Sequence, residues 1–442
     1  MQTRIDKMKK SVLSILLTSS VVLFTACGGD DGNNNSDSST ASNVDINNIQ
    51  NPVVGTPTAY KFSDDTPPNA AESVVMTYKM KGVNGTETQA TALVFTPKTA
   101  PPADGWPIVA WAHGTTGVAD DCAPSRNRLT IPGMFGPGNP TIKNMIDSFV
   151  KEGYVVVAPD YEGLGEPSGK EIHPYLNVKS AAYSITDAVV ATKNWLGNKA
   201  SNKWAVLGHS QGGNAALGAA QYAARTNMDY KGAVAVAPSS NLRLIDSLIG
   251  LQLSSYPDNL VTEDGEDNPD AQKKALGSAS VDSFIALISA GIRSTHPTEQ
   301  VYSKAFRSPI DKVAEKAESE CLLGVGAAFL DATQSYALEN NMSLTGYNRR
   351  NPGFMDDPII KQFVDKDSQP LQTVVKTPII IYQGGADILV LPQATDALVA
   401  QARALTTKID YRTDPSWDHI TVYTANVQNS KLLSDIKTML SN

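Results

Sequence analysis

Basic clusters, histidine and cysteine are all scarce in this 442-residue chain, and each scarcity narrows what it can be. Lysine and arginine total 37 against 45 acidic residues, a formal charge of −8. The one basic cluster, Arg4, Lys7, Lys9 and Lys10, falls within the first ten residues. No basic patch is left to follow a phosphate backbone, so nucleic acid is excluded as a partner. Five histidines restrict the choice of a general base to a handful of positions. No internal repeat is visible. The acidic run Glu263-Asp-Gly-Glu-Asp267 lacks the oxygen-ligand spacing of a cation loop and reads as a solvated turn. What is present is a globular composition, 41% hydrophobic and 19% charged, with length for two domains or one domain carrying a large insertion.

The N-terminus reads as a targeting segment. Its basic residues precede the apolar run Ser11 to Phe24, too short to span a bilayer as an ordinary helix. The run ends in Leu23-Phe-Thr-Ala-Cys27, which resembles the lipobox of bacterial lipoproteins except for Phe24 in place of an aliphatic residue. That resemblance implies a signal peptide over residues 1–26, lipidation of Cys27, and export to a membrane face of the bacterial cell envelope. Ordinary cleavage nearby would instead leave a soluble secreted protein. Residues 27–50 are rich in Gly, Asp, Asn and Ser and read as a flexible tether.

Beyond the tether the pattern alternates strands with helices. Val74–Lys81 and Thr88–Thr96 form a predicted hairpin around Gly82-Val-Asn-Gly85. Continuous apolar runs at 107–112, 154–158, 204–208, 231–237 and 377–383 read as buried parallel strands, with a further strand at 408–412. Helices are expected at 142–152, 178–196, 215–224 and 393–405. The class is therefore α/β, with helices on both faces of a mostly parallel sheet and an antiparallel edge. Residues 51–238 and 376–442 make the core. The stretch 239–375 shows helix-like segments and no clear strand, and is expected to insert as a cap above the carboxyl ends of the strands.

The chemistry concentrates where the apolar run Trp204–Leu207 enters Gly208-His-Ser-Gln-Gly212 and continues into small residues. Strand, G-x-S-x-G and helix form a nucleophile elbow, which presents the Ser210 hydroxyl above the sheet. A serine needs a base and the base an orienting acid, in the chain order Ser, Asp or Glu, His. His113, His173 and His209 precede the nucleophile and His296 lies in the insertion. His419 follows the last predicted strand and is the expected base. For the acid, Asp387 follows a buried strand through Gly384-Gly385; Asp414 is the fallback, while Asp410 lies within a strand and Asp418 adjoins His419. The loop His113-Gly-Thr-Thr-Gly117 is expected to offer the backbone N–H of Thr115, paired with that of Gln211, as an oxyanion hole.

The ordered set His113-Gly-Thr-Thr-Gly117, Asp121-Cys-Ala-Pro-Ser125, Asp160-Tyr-Glu-Gly-Leu-Gly165 and Gly208-His-Ser-Gln-Gly-Gly213 resembles the secretory lipase family across residues 60–440. The resemblance implies an α/β-hydrolase fold with a helical cap. It also implies carboxylic-ester hydrolysis by Ser210, Asp387 and His419, with no metal and no cofactor, on ester or lipid substrates. A monomer is the expected state. A serine peptidase or amidase on the same fold, and a surface lipoprotein that binds with a relic site, stay open as alternatives. With Cys27 lipidated, Cys122 and Cys321 are the remaining thiols of an exported chain, so a disulfide between cap and core is expected over two separate buried thiols.

Overall fold

A computed structural model describes residues 45–129, 139–165 and 167–441. The expected signal peptide, Cys27 and the tether up to residue 44 lie outside the described residues. Among the described residues nine strands, numbered in chain order from β1 (Val53–Ala59) to β9 (Ile409–Asp414), form one sheet in the order β1-β2-β3-β5-β4-β6-β7-β8-β9. The hairpin pairs β2 (Ala70–Lys81) with β3 (Glu87–Pro97), and β3 lies antiparallel to β5 (Val155–Pro159). From there β4 (Trp106–Ala112), β6 (Ala200–His209), β7 (Asp229–Val236), β8 (Ile379–Gly384) and β9 (Ile409–Asp414) run parallel.

The unbroken apolar runs follow from burial on both faces. Ile108 and Ala110 of β4, with Trp204 and Val206 of β6, face one core. Their neighbours Val109, Trp111, Ala205 and Leu207 face the other. Helix α1 (Thr141–Lys151) covers the second face, while α2 (Val178–Leu196) and α3 (Gln211–Gln221) cover the first. Alanines fill the α2–α3 contact, where Gly218 lies so close to Val178 that an added Cβ would sit 2.9 Å from its Cγ1.

Between β7 and β8 the chain folds as helices. The main ones are α4 (Leu242–Ser254), α5 (Pro269–Thr295) and α6 (Leu322–Glu339), joined by short helical turns. Helix α5 is long and apolar enough to cross a membrane, yet 72% of its apolar window is buried inside the molecule. It is the central helix of this insertion, the region expected as a cap. Asp282, fully buried on α5, is paired with Arg349 and Arg350, and Arg350 also meets Asp246 of α4. Such a pair specifies which segments meet more than it adds stability, because desolvation offsets much of the attraction. The chain then returns to the core through α7 (Pro392–Ala404), α8 (Thr421–Gln428) and α9 (Lys431–Ser441).

Four features depart from the sequence expectation. An edge strand β1 (Val53–Ala59) precedes the hairpin, with a register irregularity between Val54 and Thr58 that accommodates Gly55 and Pro57. Those two residues hid the strand. Helix α3 starts at Gln211, directly after Ser210, rather than at 215. Helices α8 and α9 also close the chain, and α9 turns Leu432, Ile436, Met439 and Leu440 inward. Lastly, residues 45–50 are not tether. Asp45 meets Lys81, Tyr183 and Arg225, and Asn47 donates to Asp187. A polar composition predicted flexibility; specific partners on α2 and β2 hold the segment instead.

Candidate active site

Ser210 sits at φ +59°, ψ −119°, between β6 and α3. A non-glycine residue in that region is strained and is held there by its surroundings. Gly208 and Gly212 are two of those constraints. A Cβ on Gly208 would lie 2.0 Å from the Gly212 carbonyl oxygen, and one on Gly212 would lie 2.0 Å from that of Ala112. Strand, helix and the end of β4 therefore touch backbone to backbone. The Ser210 N–H donates to Val236 O (2.9 Å), which fixes the turn against β7.

The late loops supply the partners. Ser210 Oγ lies 3.0 Å from His419 Nε2, and His419 Nδ1 lies 2.7 Å from Asp387 Oδ2. The other carboxylate oxygen of Asp387 accepts from the Leu389 and Val390 amides, both at 2.9 Å. Gly384 lets the acid loop lie on the histidine loop, since a Cβ there would be 2.2 Å from Trp417 O. Serine, histidine and aspartate are each over 90% buried. Asp414 holds Ser416, Asp410 pairs with Arg412, and Asp418 caps the turn at Ile420 and Thr421. None of the three is aimed at the imidazole.

His209, passed over as a base, lies under His419. Its Nε2 donates to the His419 carbonyl at 2.8 Å, and its ring stacks on Tyr423 at 4.9 Å. Burial, then the neighbouring imidazole, holds its pKa well below the usual histidine range, so it serves as a neutral donor. Chain order alone could not separate this support from a spare histidine.

Thr115 and Gln211 are both buried at the junction of the 113–117 loop and the start of α3. Thr115 Oγ1 is bonded to Tyr175 OH at 2.8 Å, and Gln211 Nε2 to His173 Nε2 at 3.0 Å. His113 supports the loop, with Nδ1 2.7 Å from Gly114 O, and burial lowers its pKa to about 4. Cys122 and Cys321 form a disulfide with Cα atoms 5.4 Å apart. Beside it Leu322 N donates to Thr116 O at 2.9 Å, so the helical insertion is joined to the segment 116–122 both covalently and through backbone.

The two remaining motifs turn out to be scaffold. Asp160 accepts from Thr91 Oγ1 (2.6 Å) and from the amide of Ser125 (2.9 Å), fastening the Cys-Ala-Pro-Ser turn to β3. Gly163 at φ +72° and Gly165 at φ +70° pack against the His173 backbone and the Ala123 side chain, where no Cβ fits. Glu162 accepts from Ser180 Oγ and from the Val83 amide.

Burial pushes the Asp160 carboxyl up to about 6 and that of Glu162 up to about 7, outweighing the hydrogen bonds that favour ionisation. Both folded values exceed the unfolded ones, so each group holds its proton more tightly in the folded state. The stability this contributes is complete below about pH 4 and is lost as pH rises towards 7. Glu162→Gln should remove its share. The melting temperature of the variant, relative to wild type, should rise steadily between pH 4.5 and 7. A constant difference across that window would refute it.

A model of the family described as serine aminopeptidase, S33, matches residues 140–262. A comparison with curated proteins finds no match. Among solved structures, Candida antarctica lipase A in its closed state superposes with a TM-score of 0.63 at 17% identity, over 89% of this chain and 83% of the lipase. The chain has the α/β-hydrolase fold. The rice cell wall degrading esterase LipA from Xanthomonas oryzae superposes with a TM-score of 0.57 at 17% identity, over 88% of this chain and 97% of the esterase. In this hydrolase fold the elbow after β6, the acid loop after β8 and the histidine loop after β9 meet above the carboxyl ends of the strands.

Proposed function

We propose that the chain is a serine carboxylic-ester hydrolase. The observation that carries the reading is the continuous hydrogen-bonded line Ser210 Oγ, His419 Nε2, His419 Nδ1, Asp387 Oδ2. His419 takes the Ser210 proton as the oxygen attacks the ester carbonyl carbon. Asp387, bonded at Nδ1, holds the tautomer that leaves Nε2 free to accept, and stabilises the imidazolium. The amides of Thr115 and Gln211 receive the developing oxyanion, aided by the positive end of α3. Collapse breaks the C–O bond, and His419 returns the proton to the leaving alcohol. Water then attacks the acyl-Ser210 by the same relay and releases the acid.

The aminopeptidase description of the family matching residues 140–262 keeps a second reading in view, amide hydrolysis by the same residues. The lipase and esterase neighbours, which extend over nearly the whole chain, support the ester. The expected export and lipid anchor at Cys27 complete the proposal, supported by the cysteine pair, since disulfides persist in oxidising compartments. One fractionation addresses both parts. Membranes carrying the protein should hydrolyse p-nitrophenyl esters and leave an aminoacyl p-nitroanilide intact, and Cys27→Ser should move that activity to the soluble fraction. Anilide turnover matching ester turnover would favour the peptidase. Wild-type activity that is soluble from the start would remove the anchor.

A further inference from the structure

His173 and Tyr175 belong to the loop between β5 and α2, and their side-chain hydrogen bonds run to Glu162, Gln211 and Thr115 rather than to Ser210, His419 or Asp387. Each nevertheless ends on a different oxyanion residue. His173 is 1% exposed, and its Nδ1 lies 2.8 Å from the Glu162 carbonyl oxygen. A carbonyl can only accept, so Nδ1 carries the proton and Nε2 is left as an acceptor. Gln211 therefore donates its side-chain N–H to Nε2, so the histidine anchors the side chain of the residue whose backbone N–H is the proposed oxyanion donor. Tyr175, also 1% exposed, has the side chain of Thr115 as its hydroxyl partner. The His173 ring lies parallel to that of Tyr161 at 5.7 Å, and the Tyr161 hydroxyl donates to His113 O at the start of the oxyanion loop.

The cap rests on the same segment. Gly291 of α5 faces the Tyr175 backbone so closely that a Cβ would lie 2.7 Å from its carbonyl oxygen and 2.8 Å from its nitrogen. No flexible side chain is available to yield there. Only glycine allows the central cap helix to seat at this depth.

We propose that His173-Pro-Tyr175 is a brace that positions both oxyanion donors, Gln211 through His173 and Thr115 through Tyr175, and that the cap sets the brace through Gly291. The proposal rests on the ester-hydrolase reading and adds residues that act at a distance from the reacting atoms. They are positioning residues. A donor displaced by a fraction of an ångström still admits substrate but stabilises the oxyanion less, so the loss belongs in kcat rather than KM. Burial lowers the His173 pKa to about 3, which keeps the ring neutral and so preserves the acceptor that Gln211 needs.

The test compares Tyr175→Phe, His173→Phe, His173→Gln and Gly291→Ala with wild type and Ser210→Ala, using a short-chain p-nitrophenyl ester. Tyr175→Phe deletes one oxygen. His173→Phe keeps an aromatic ring beside Tyr161 without the acceptor, while His173→Gln restores an acceptor. Tyr175→Phe, His173→Phe and Gly291→Ala should each lower kcat by about 10- to 100-fold, short of the loss from deleting an oxyanion donor. KM should change by less than about twofold, and affinity for a boronic acid that mimics the tetrahedral adduct should fall in step with kcat. His173→Gln should recover part of the loss. If His173→Phe fails to fold, Tyr175→Phe alone decides. An unchanged kcat in folded Tyr175→Phe, or a lower melting temperature with unchanged boronate affinity, overturns the brace and leaves the Ser210 reading standing. An active Ser210→Ala overturns the reading beneath it.

Discussion

Ser210→Ala should lower kcat on esters by on the order of 10⁶ while leaving the melting temperature within about 2 °C of wild type. The effect is large because one oxygen is the whole nucleophile. It is clean because alanine can follow the same turn, which Gly208, Gly212 and the Ser210 N–H bond to Val236 hold in place. Asp387→Asn should cost about 10³–10⁴. In the native site Oδ1 is held by two backbone amides and Oδ2 faces His419 Nδ1. An asparagine keeps its carbonyl oxygen on those amides and turns its NH₂ towards the histidine. Nδ1 must then accept, Nε2 carries the proton, and the serine loses its base. The double variant should be no slower than Ser210→Ala, because the three residues act as one unit. Substantial turnover by purified Ser210→Ala, or additive losses in the double variant, would move the chemistry elsewhere.

The parts of the site that follow from chain order and local shape were legible in the sequence. The strand, glycines and helix around Ser210 state their geometry through sterics, and the imidazole and carboxylate that line up with Ser210 come from loops after late strands. The sheet was legible for the same reason: strands buried on both faces must be apolar throughout, as β4 and β6 are. What escaped depends on partners far along the chain. Nothing near Asp45 announces that Lys81, Tyr183 and Arg225 will surround it. His173 and His209 precede Ser210, an order that disfavours them as bases, and their hydrogen bonds exist only once the fold brings Gln211 and the His419 carbonyl to them. Asp160 and Glu162 stood out as motif residues, yet only the fold shows their carboxylates buried as fasteners. The glycine between them and β6 illustrates the same limit. Gly163 is required by the backbone of Ile172 and His173, which no local pattern foretells.

Cys122→Ala/Cys321→Ala should lower the melting temperature by about 5 °C and loosen the cap at one edge. The bridge spans 199 residues, and closing a loop of that length removes roughly 5 kcal/mol of unfolded-chain entropy, an upper figure that residual structure reduces. Spread over the unfolding entropy of a domain of this size, that amount corresponds to a few degrees. Its place matters as much as its length. Cys122 follows the 113–117 loop, Cys321 precedes α6, and the adjoining bridge from Leu322 N to Thr116 O fixes the same edge through backbone. With that edge tied, substrate entry is expected by local movement of cap segments elsewhere rather than by the whole cap swinging away. The reduced or double-alanine protein should therefore show faster amide hydrogen exchange at α6 and the 115–125 turn than at α5, whose centre is buried in the cap. Mass mapping of an unreduced digest should recover Cys122 and Cys321 in one linked peptide. Both residues found as free alkylated thiols, or a melting temperature indifferent to reduction, would show that the cap is held by packing alone.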